Sequence, residues 1–338
     1  MQAIVLEGPG RFRLKEAVHP GTPGSGEALV RVHRVGICGS DLHAFKGSHP
    51  FLSYPRVLGH EIGVEIVAVG RNEFGLTVGD LCAVEPYLNC GQCTVCRRER
   101  PNCCINLQVL GTHRDGGMQE FMIVPTAKLH GSHKLSLEQL ALVEMLSIGA
   151  HAVRRAQLGK SESVLVLGAG PIGLSIVFFA QSVGARVVVV EPNEKRREFC
   201  GRHFRVEECL EGKGNQAQQL RTAFGGDLPT AVFDATGSAE SMMQAPHYLA
   251  NGGKLIFVSL VQADLTFADP LFHRLELTLL CCRNATRQDF AWAIQELEED
   301  KVNITPWITH RAERGHVIQE FSRWLDPSQG VIKAMVEI

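Results

Sequence analysis

Residues 163–185 read SVLVLGAGPIGLSIVFFAQSVGA, and this stretch decides the fold. Its first five positions are mostly β-branched or aliphatic, as in a buried strand. Gly168, Gly170, Pro171 and Gly173 then interrupt the run, and an apolar segment long enough for a buried helix follows. No residue in the stretch is charged, so a membrane span is the rival reading. Three glycines and a proline where a span should be continuous favour strand, tight turn and helix instead. The turn, Gly168-Ala169-Gly170-Pro171-Ile172-Gly173, is a G-x-G-x-x-G. Glycines at these positions let the backbone turn sharply and approach a pyrophosphate, which would rest on the helix N-terminus opened by Pro171 and Ile172.

Beyond it, the pattern predicts strands at 186–190, 231–234 and 254–259, with a helix at 194–203. Strands alternating with helices imply βαβ units and a parallel, doubly wound sheet. Glu191 ends the second strand of this series, where an acid accepts a ribose 2'-hydroxyl and repels a 2'-phosphate. The cofactor expected is therefore NAD, not NADP. Lys195, Arg196 and Arg197 form either a solvated helix face or a phosphate contact, with Arg196 the candidate cofactor residue.

Upstream, the chain changes character. Short strands at 28–35, 61–69 and 81–85 are separated by Gly and Pro turns, and no sustained helical periodicity precedes Leu135. That is the pattern of an irregular, β-rich domain carrying long functional loops. A helix at 141–155 leads into the doubly wound part, and another is expected at 288–301 before mixed short elements that end in 331–338.

Two sets of metal-binding residue types lie in the β-rich part. Cys90, Cys93, Cys96 and Cys104 are spaced C-x2-C-x2-C-x7-C, all sulfur, which suits a closed tetrahedral structural zinc. Cys103 falls one residue short and is a spare thiol or a register alternative. The second set, Cys38, His60 and Glu61, mixes sulfur, nitrogen and carboxylate, the ligand types of a zinc with an open position. A hydroxyl held against such a cation loses its proton far more easily than a free one. Ser40 and His43 then offer a route for that proton to solvent, hydroxyl first and imidazole second. Asp41 is placed to orient His60.

The bulk numbers describe an ordinary globular protein. The 338 residues suffice for two domains, with 45% hydrophobic and 21% charged residues. A formal net charge of -2 gives no electrostatic case for nucleic acid or an anionic membrane. Eleven cysteines without a basic and then apolar leader fit metal ligands in a reducing cytoplasm better than disulfides.

Together GICGSDLH (36–43), GHE (59–61), the four-cysteine lobe, GAGPIG (168–173) and Gly330-Val331-Ile332-Lys333 resemble the zinc-dependent medium-chain dehydrogenases, over essentially the whole chain. The polyol (sorbitol), L-threonine and sugar-acid branch looks nearest. The resemblance implies an α/β two-domain fold: a GroES-like catalytic domain at 1–146 and 285–338, with a zinc lobe at 88–106, and a Rossmann NAD-binding domain at 147–284. It places the active site in the cleft between them. It also implies two Zn2+ per chain, NAD, a small-molecule alcohol substrate and a homodimer or homotetramer. The segment VEMLSIG (143–149) is similar to the family's E-P-L-S-V-G, whose Glu can approach the catalytic zinc. Glu144 is thus a candidate exchangeable ligand, although Met145 stands where the family has Pro.

LGTHRDGG (110–117) is most similar to the L-galactonate and related hexonate 5-dehydrogenases. It makes His113 and Arg114 candidate substrate residues, with a guanidinium able to hold a carboxylate bidentately. The opposing expectation is a surface loop in which Asp115 pairs with Arg114. The activity implied is oxidation of a secondary alcohol of a sugar acid or polyol to a ketone with hydride transfer to NAD. A primary-alcohol dehydrogenase, a zinc-free double-bond reductase and a non-catalytic NAD-binding sensor or structural protein are the rivals.

Overall fold

The computed structural model describes residues 1–338 and divides into two compact units, 1–145 with 285–338 and 146–284.

In the first unit a seven-stranded sheet runs Leu129–Gly131, Leu81–Val84, Glu61–Val69, Glu27–Ile37, Lys333–Glu337 and Ile308–Glu313, with Phe121–Pro125 also paired to Glu27–Ile37. A three-stranded sheet of Arg11–Glu16, Gln2–Gly8 and Arg56–Val57 accompanies it. Inward-facing aliphatic residues such as Val30, Val32, Ile62, Val64 and Val84 form its core with Phe321 and Trp324.

Register in this sheet brings distant residues together. Glu27–Ile37 pairs antiparallel with Glu61–Val69, so Gly36 lies opposite Glu61. On its other side Ala334 lies opposite Ile37. The starts of two strands and the end of a third therefore converge on Cys38, Glu61 and Lys333. Gly36 is required by this convergence: a side-chain carbon there would lie 2.1 Å from Glu61 Oε2.

The second unit holds a six-stranded, all-parallel sheet in the order Glu208–Leu210, Arg186–Val190, Ser163–Leu167, Ala231–Asp234, Lys254–Phe257, Thr278–Cys281. Numbered along the chain, this is the 3-2-1-4-5-6 order of a dinucleotide fold, with its switch point between Ser163–Leu167 and Ala231–Asp234. The rival membrane reading of 163–185 fails: a five-residue strand is followed by the twelve-residue helix Pro171–Ser182. No helix of the chain is long and apolar enough to cross a membrane.

The segment 36–43 leaves a loop or a short helix open after its strand, and the helix Gly39–Lys46 forms there. The apolar run before Cys281 reads as packed in the sheet, and Thr278–Cys281 forms one edge of it; the other edge, Glu208–Leu210, was not marked by the sequence. Helices Gln216–Ala223, Ala239–Gln244 and Asp269–Leu275 complete the crossovers.

Candidate active site

The cysteine lobe starts where Tyr87–Leu88 pairs with Gln108–Val109, and a one-turn helix, Thr94–Arg97, follows Cys93. Sulfur–sulfur separations are 3.4 Å for Cys93–Cys96, 3.9 Å for Cys93–Cys104 and 3.4 Å for Cys104–Cys90. A tetrahedral zinc with bonds near 2.3 Å has sulfur–sulfur edges of about 3.8 Å, so the four thiols fit one ion. Backbone N–H groups of Cys90 and Asn106 point at Cys104 Sγ, at 3.3 and 3.4 Å. Backbone hydrogen bonds led by that of Ile105 bring the Cys93 thiol down to about 6, while burial lifts Cys96 to about 11. Cys103 is exposed and outside the cluster, which settles the register in favour of Cys104.

The second set is equally close. Ligand atoms of Cys38, His60 and Glu61 all lie within 4.8 Å of one another. Asp41 organises them. Its Oδ2 accepts from Cys38 N at 2.9 Å and its Oδ1 from Gly59 N at 3.4 Å, tying the start of helix Gly39–Lys46 to the turn before His60. Asp41 Oδ1 also faces His60 Nδ1 at 3.8 Å.

The electrostatics of this pocket favour a cation. Burial raises the pKa of both Asp41 and Glu144, because neither carboxylate is well solvated there. Burial also opposes a charged His60, yet Asp41, Cys38 and Glu144 outweigh it and hold the imidazole well above its ordinary range. A half-buried thiol beside a buried imidazole and a buried carboxylate, with further acids around them, suits a divalent ion, and zinc fits these donors.

Two partners were missed by sequence reasoning. Lys333, 1% exposed, donates from Nζ to Glu61 Oε1 at 2.6 Å, to Oε2 at 2.8 Å and to the Ile37 carbonyl at 3.1 Å. Its signal was a lysine inside the otherwise apolar run VIKAMV, where an unpaired charge would be too costly to bury. Tyr87, also buried, donates a hydrogen bond from its hydroxyl to Glu144 Oε1. Burial, and then the neighbouring Glu144, hold the phenol well above its usual pKa, so the proton stays on Tyr87.

Glu144 lies on the helix Leu137–Ala156 and outside the three-residue set, although its charge reaches His60. Ser40 is half-buried and His43 exposed on helix Gly39–Lys46, and His43 Nδ1 meets Ser48 Oγ at 3.1 Å.

The loop bearing His113 and Arg114 is stitched to the segment before His60. Gly116 N donates to Val57 O, Gly117 N to Gly59 O at 2.8 Å, and Met118 N to Leu58 O at 3.0 Å. Both side chains are exposed. Val109 N donates to His113 Nδ1 at 3.1 Å, and Arg114 Nε donates to Gln108 Oε1. The expected Arg114–Asp115 pair does not form: Asp115 instead accepts from Arg56 at 3.0 Å and from Val57 N at 3.1 Å. Val57 N and the Arg56 guanidinium both reach the Asp115 carboxylate, which leaves it engaged away from Arg114.

In the second unit, Gly168 takes φ +94 and Gly170 caps the helix Pro171–Ser182. A side-chain carbon at Gly173 would lie 1.8 Å from the Gly168 carbonyl, so the turn can close only with glycine there. Glu191 accepts from Ala169 N and Asn193 N, each at 2.8 Å, which fixes its carboxylate beside the glycine turn. Arg197 Nη1 bonds the Glu191 and Pro192 carbonyls, at 2.9 and 2.7 Å. Arg196 Nη1 lies 3.8 Å from where a side-chain carbon of Gly170 would be. Of the three basic residues, Arg196 is thus the one at the turn.

Residues 24–134 match the alcohol dehydrogenase GroES-like domain, and residues 171–299 match the zinc-binding dehydrogenase domain. The chain is 39% identical to L-galactonate-5-dehydrogenase of Escherichia coli K12, covering 99% of this chain and 98% of that one. It is 32% identical to 2-dehydro-3-deoxy-L-galactonate 5-dehydrogenase of Pseudoalteromonas atlantica, over 94% of each. Among solved structures, the NADH complex of an alcohol dehydrogenase from E. coli CFT073 superposes with a TM-score of 0.92 at 28% identity, covering 100% of this chain and 99% of the other. With a GroES-like unit, a Rossmann unit and these relatives, the chain belongs to the zinc-binding alcohol dehydrogenase family, in its polyol and sugar-acid branch, and is a nicotinamide-dependent oxidoreductase.

Proposed function

We propose that this enzyme oxidises a secondary alcohol of a hexonate to a ketone with hydride transfer to NAD, as a hexonate 5-dehydrogenase. The observation that carries the reading is the attachment of the His113–Arg114 loop to the backbone immediately before His60. It puts a guanidinium and an imidazole on the same scaffold as the candidate metal ligands. The whole-length likeness to L-galactonate-5-dehydrogenase supports the same substrate class.

In this reading Cys38, His60 and Glu61 hold one zinc, with Glu144 as an exchangeable ligand, and Cys90, Cys93, Cys96 and Cys104 hold the other. The first ion supplies Lewis acidity that makes the substrate hydroxyl easier to deprotonate. Asp41 keeps His60 and Cys38 aligned. Lys333 neutralises and positions Glu61. Ser40 and His43, three apart on one helix face, take the proton from the hydroxyl toward solvent. Arg114 holds the substrate carboxylate and so fixes which carbon faces the metal.

Gly168, Gly170, Pro171, Ile172 and Gly173 receive the cofactor pyrophosphate, and Glu191 receives the ribose hydroxyls. Glu191 favours NAD over NADP, with Arg196 left to a pyrophosphate oxygen. Homo-oligomerisation belongs to the same reading, supported by the edge strand Thr278–Cys281, where Leu279 is 41% exposed.

The test compares L-galactonate and L-gulonate with the corresponding hexitols, in the wild-type enzyme and in Arg114→Ala. Loss of a charge-assisted pair should raise KM for the acids about 10- to 100-fold and leave the hexitols unchanged. Equal or better turnover of the hexitols by the wild-type enzyme would instead make it a sorbitol-like polyol dehydrogenase. A metal- and NAD-loaded protein that turns over neither would revive the sensor reading, which the likeness to a protein named for starvation sensing keeps in view.

A further inference from the structure

Glu144 is a buried carboxylate beside a metal-ligand set to which it does not belong. Its charge reaches His60, so an ion bound at that set would draw the carboxylate in unless another group restrained it. The Tyr87 hydroxyl is that restraint. It donates to Glu144 Oε1, and its ring is fixed edge-on against the fully buried Phe290, with centroids 6.3 Å apart at 80°. Its backbone is fixed too: Tyr87 pairs with Val109 in the two-stranded ribbon that leads into the cysteine lobe.

We propose that Tyr87 is a positioning residue that biases the exchangeable Glu144 away from the Cys38–His60–Glu61 set and so leaves the fourth metal position to the substrate oxygen. This rests on the catalytic-zinc reading above. It also gives the cysteine lobe a bearing on turnover, because the lobe anchors the strand that carries Tyr87. Tyr87→Phe keeps the ring and its packing while removing only the hydroxyl, which isolates the restraint from the fold.

The experiment uses the full-length protein with Co2+ in place of the catalytic metal. It reads the visible ligand-field spectrum, the rate of metal loss to a chelator, and kcat and KM. In Tyr87→Phe the freed carboxylate takes the fourth position. The spectrum changes, metal loss slows about tenfold, and KM for the alcohol rises as substrate must displace a ligand. Tyr87→Phe/Glu144→Gln returns all three to the values of Glu144→Gln alone. A spectrum and release rate in Tyr87→Phe identical to wild type would overturn the proposal, whatever the melting temperature does. If wild type itself shows no cobalt–thiolate band that Cys38→Ser abolishes, the catalytic-site reading fails and this proposal fails with it.

Discussion

In a His60→Ala variant, turnover is expected to fall by at least about a thousandfold while the protein stays folded. Lewis-acid polarisation supplies several kcal/mol of transition-state stabilisation, and the imidazole is one of three protein groups placed to hold the ion that provides it. With only Cys38 and Glu61 left, and Glu61 already sharing both oxygens with Lys333, the site cannot retain its metal. The fold survives because the turn does not depend on the ring. Asp41 still accepts from Cys38 N and Gly59 N, and the strand Glu61–Val69 keeps its pairing with Glu27–Ile37. Turnover, metal content and thermal melting on one preparation check this. Wild-type turnover in the variant would defeat the catalytic-metal model.

Lys333→Met is expected to destabilise the protein by about 3–5 kcal/mol. Methionine preserves most of the packing of the lysine stem, so the loss is that of a buried cation with a partner on either side of it. Glu61, with no exposed surface, is left without its counter-charge, and the Ile37 carbonyl loses a donor. A divalent ion at Cys38, His60 and Glu61 would partly replace the missing charge. The loss should therefore be greater in metal-stripped than in zinc-loaded protein. Glu61→Gln/Lys333→Met should recover much of it, because neither remaining group is charged. Equilibrium denaturation of wild type, Lys333→Met and the double variant, each with and without zinc, measures this; a single-variant change within about 1 kcal/mol would show the pair to be dispensable.

How legible these features were in the sequence depended on their range. The strands Arg186–Val190 and Ala231–Asp234 and the helix Glu194–His203 could be bounded to the residue, because a buried strand in a parallel sheet is an uninterrupted apolar run and a flanking helix is not. The edge strand Glu208–Leu210 has an exposed glutamate and only half-buried neighbours, so it carries no such signature. In Thr278–Cys281 the apolar run before Cys281 reads as packed in the sheet, but as the outer strand it leaves Cys281 exposed. The segment of helix Gly39–Lys46 stayed open between loop and short helix, because its polar residues read equally well as ligands, relays and caps.

The same holds for the site. Ligands that follow one another along the chain, such as the four cysteines or His60-Glu61, could be read from spacing. The Lys333–Glu61 pair joins positions 272 residues apart and exists only because two strand registers meet at Ile37. Tyr87 and Glu144 meet across 57 residues, a strand end against a helix face. Spacing says nothing about such partners. They follow from the register of the sheet and the burial of the charges, and both come only with the fold.

Stepwise removal of zinc from the wild-type enzyme, with metal content and L-galactonate-dependent NADH formation followed in the same aliquots, tests the catalytic site most directly. The open three-residue site should release its ion before the closed four-cysteine site does. The predicted result is two zinc ions per chain, turnover lost in step with the first and restored by adding zinc back, and melting little changed until the second leaves. Full turnover after the first ion has gone would contradict a catalytic metal at Cys38, His60 and Glu61.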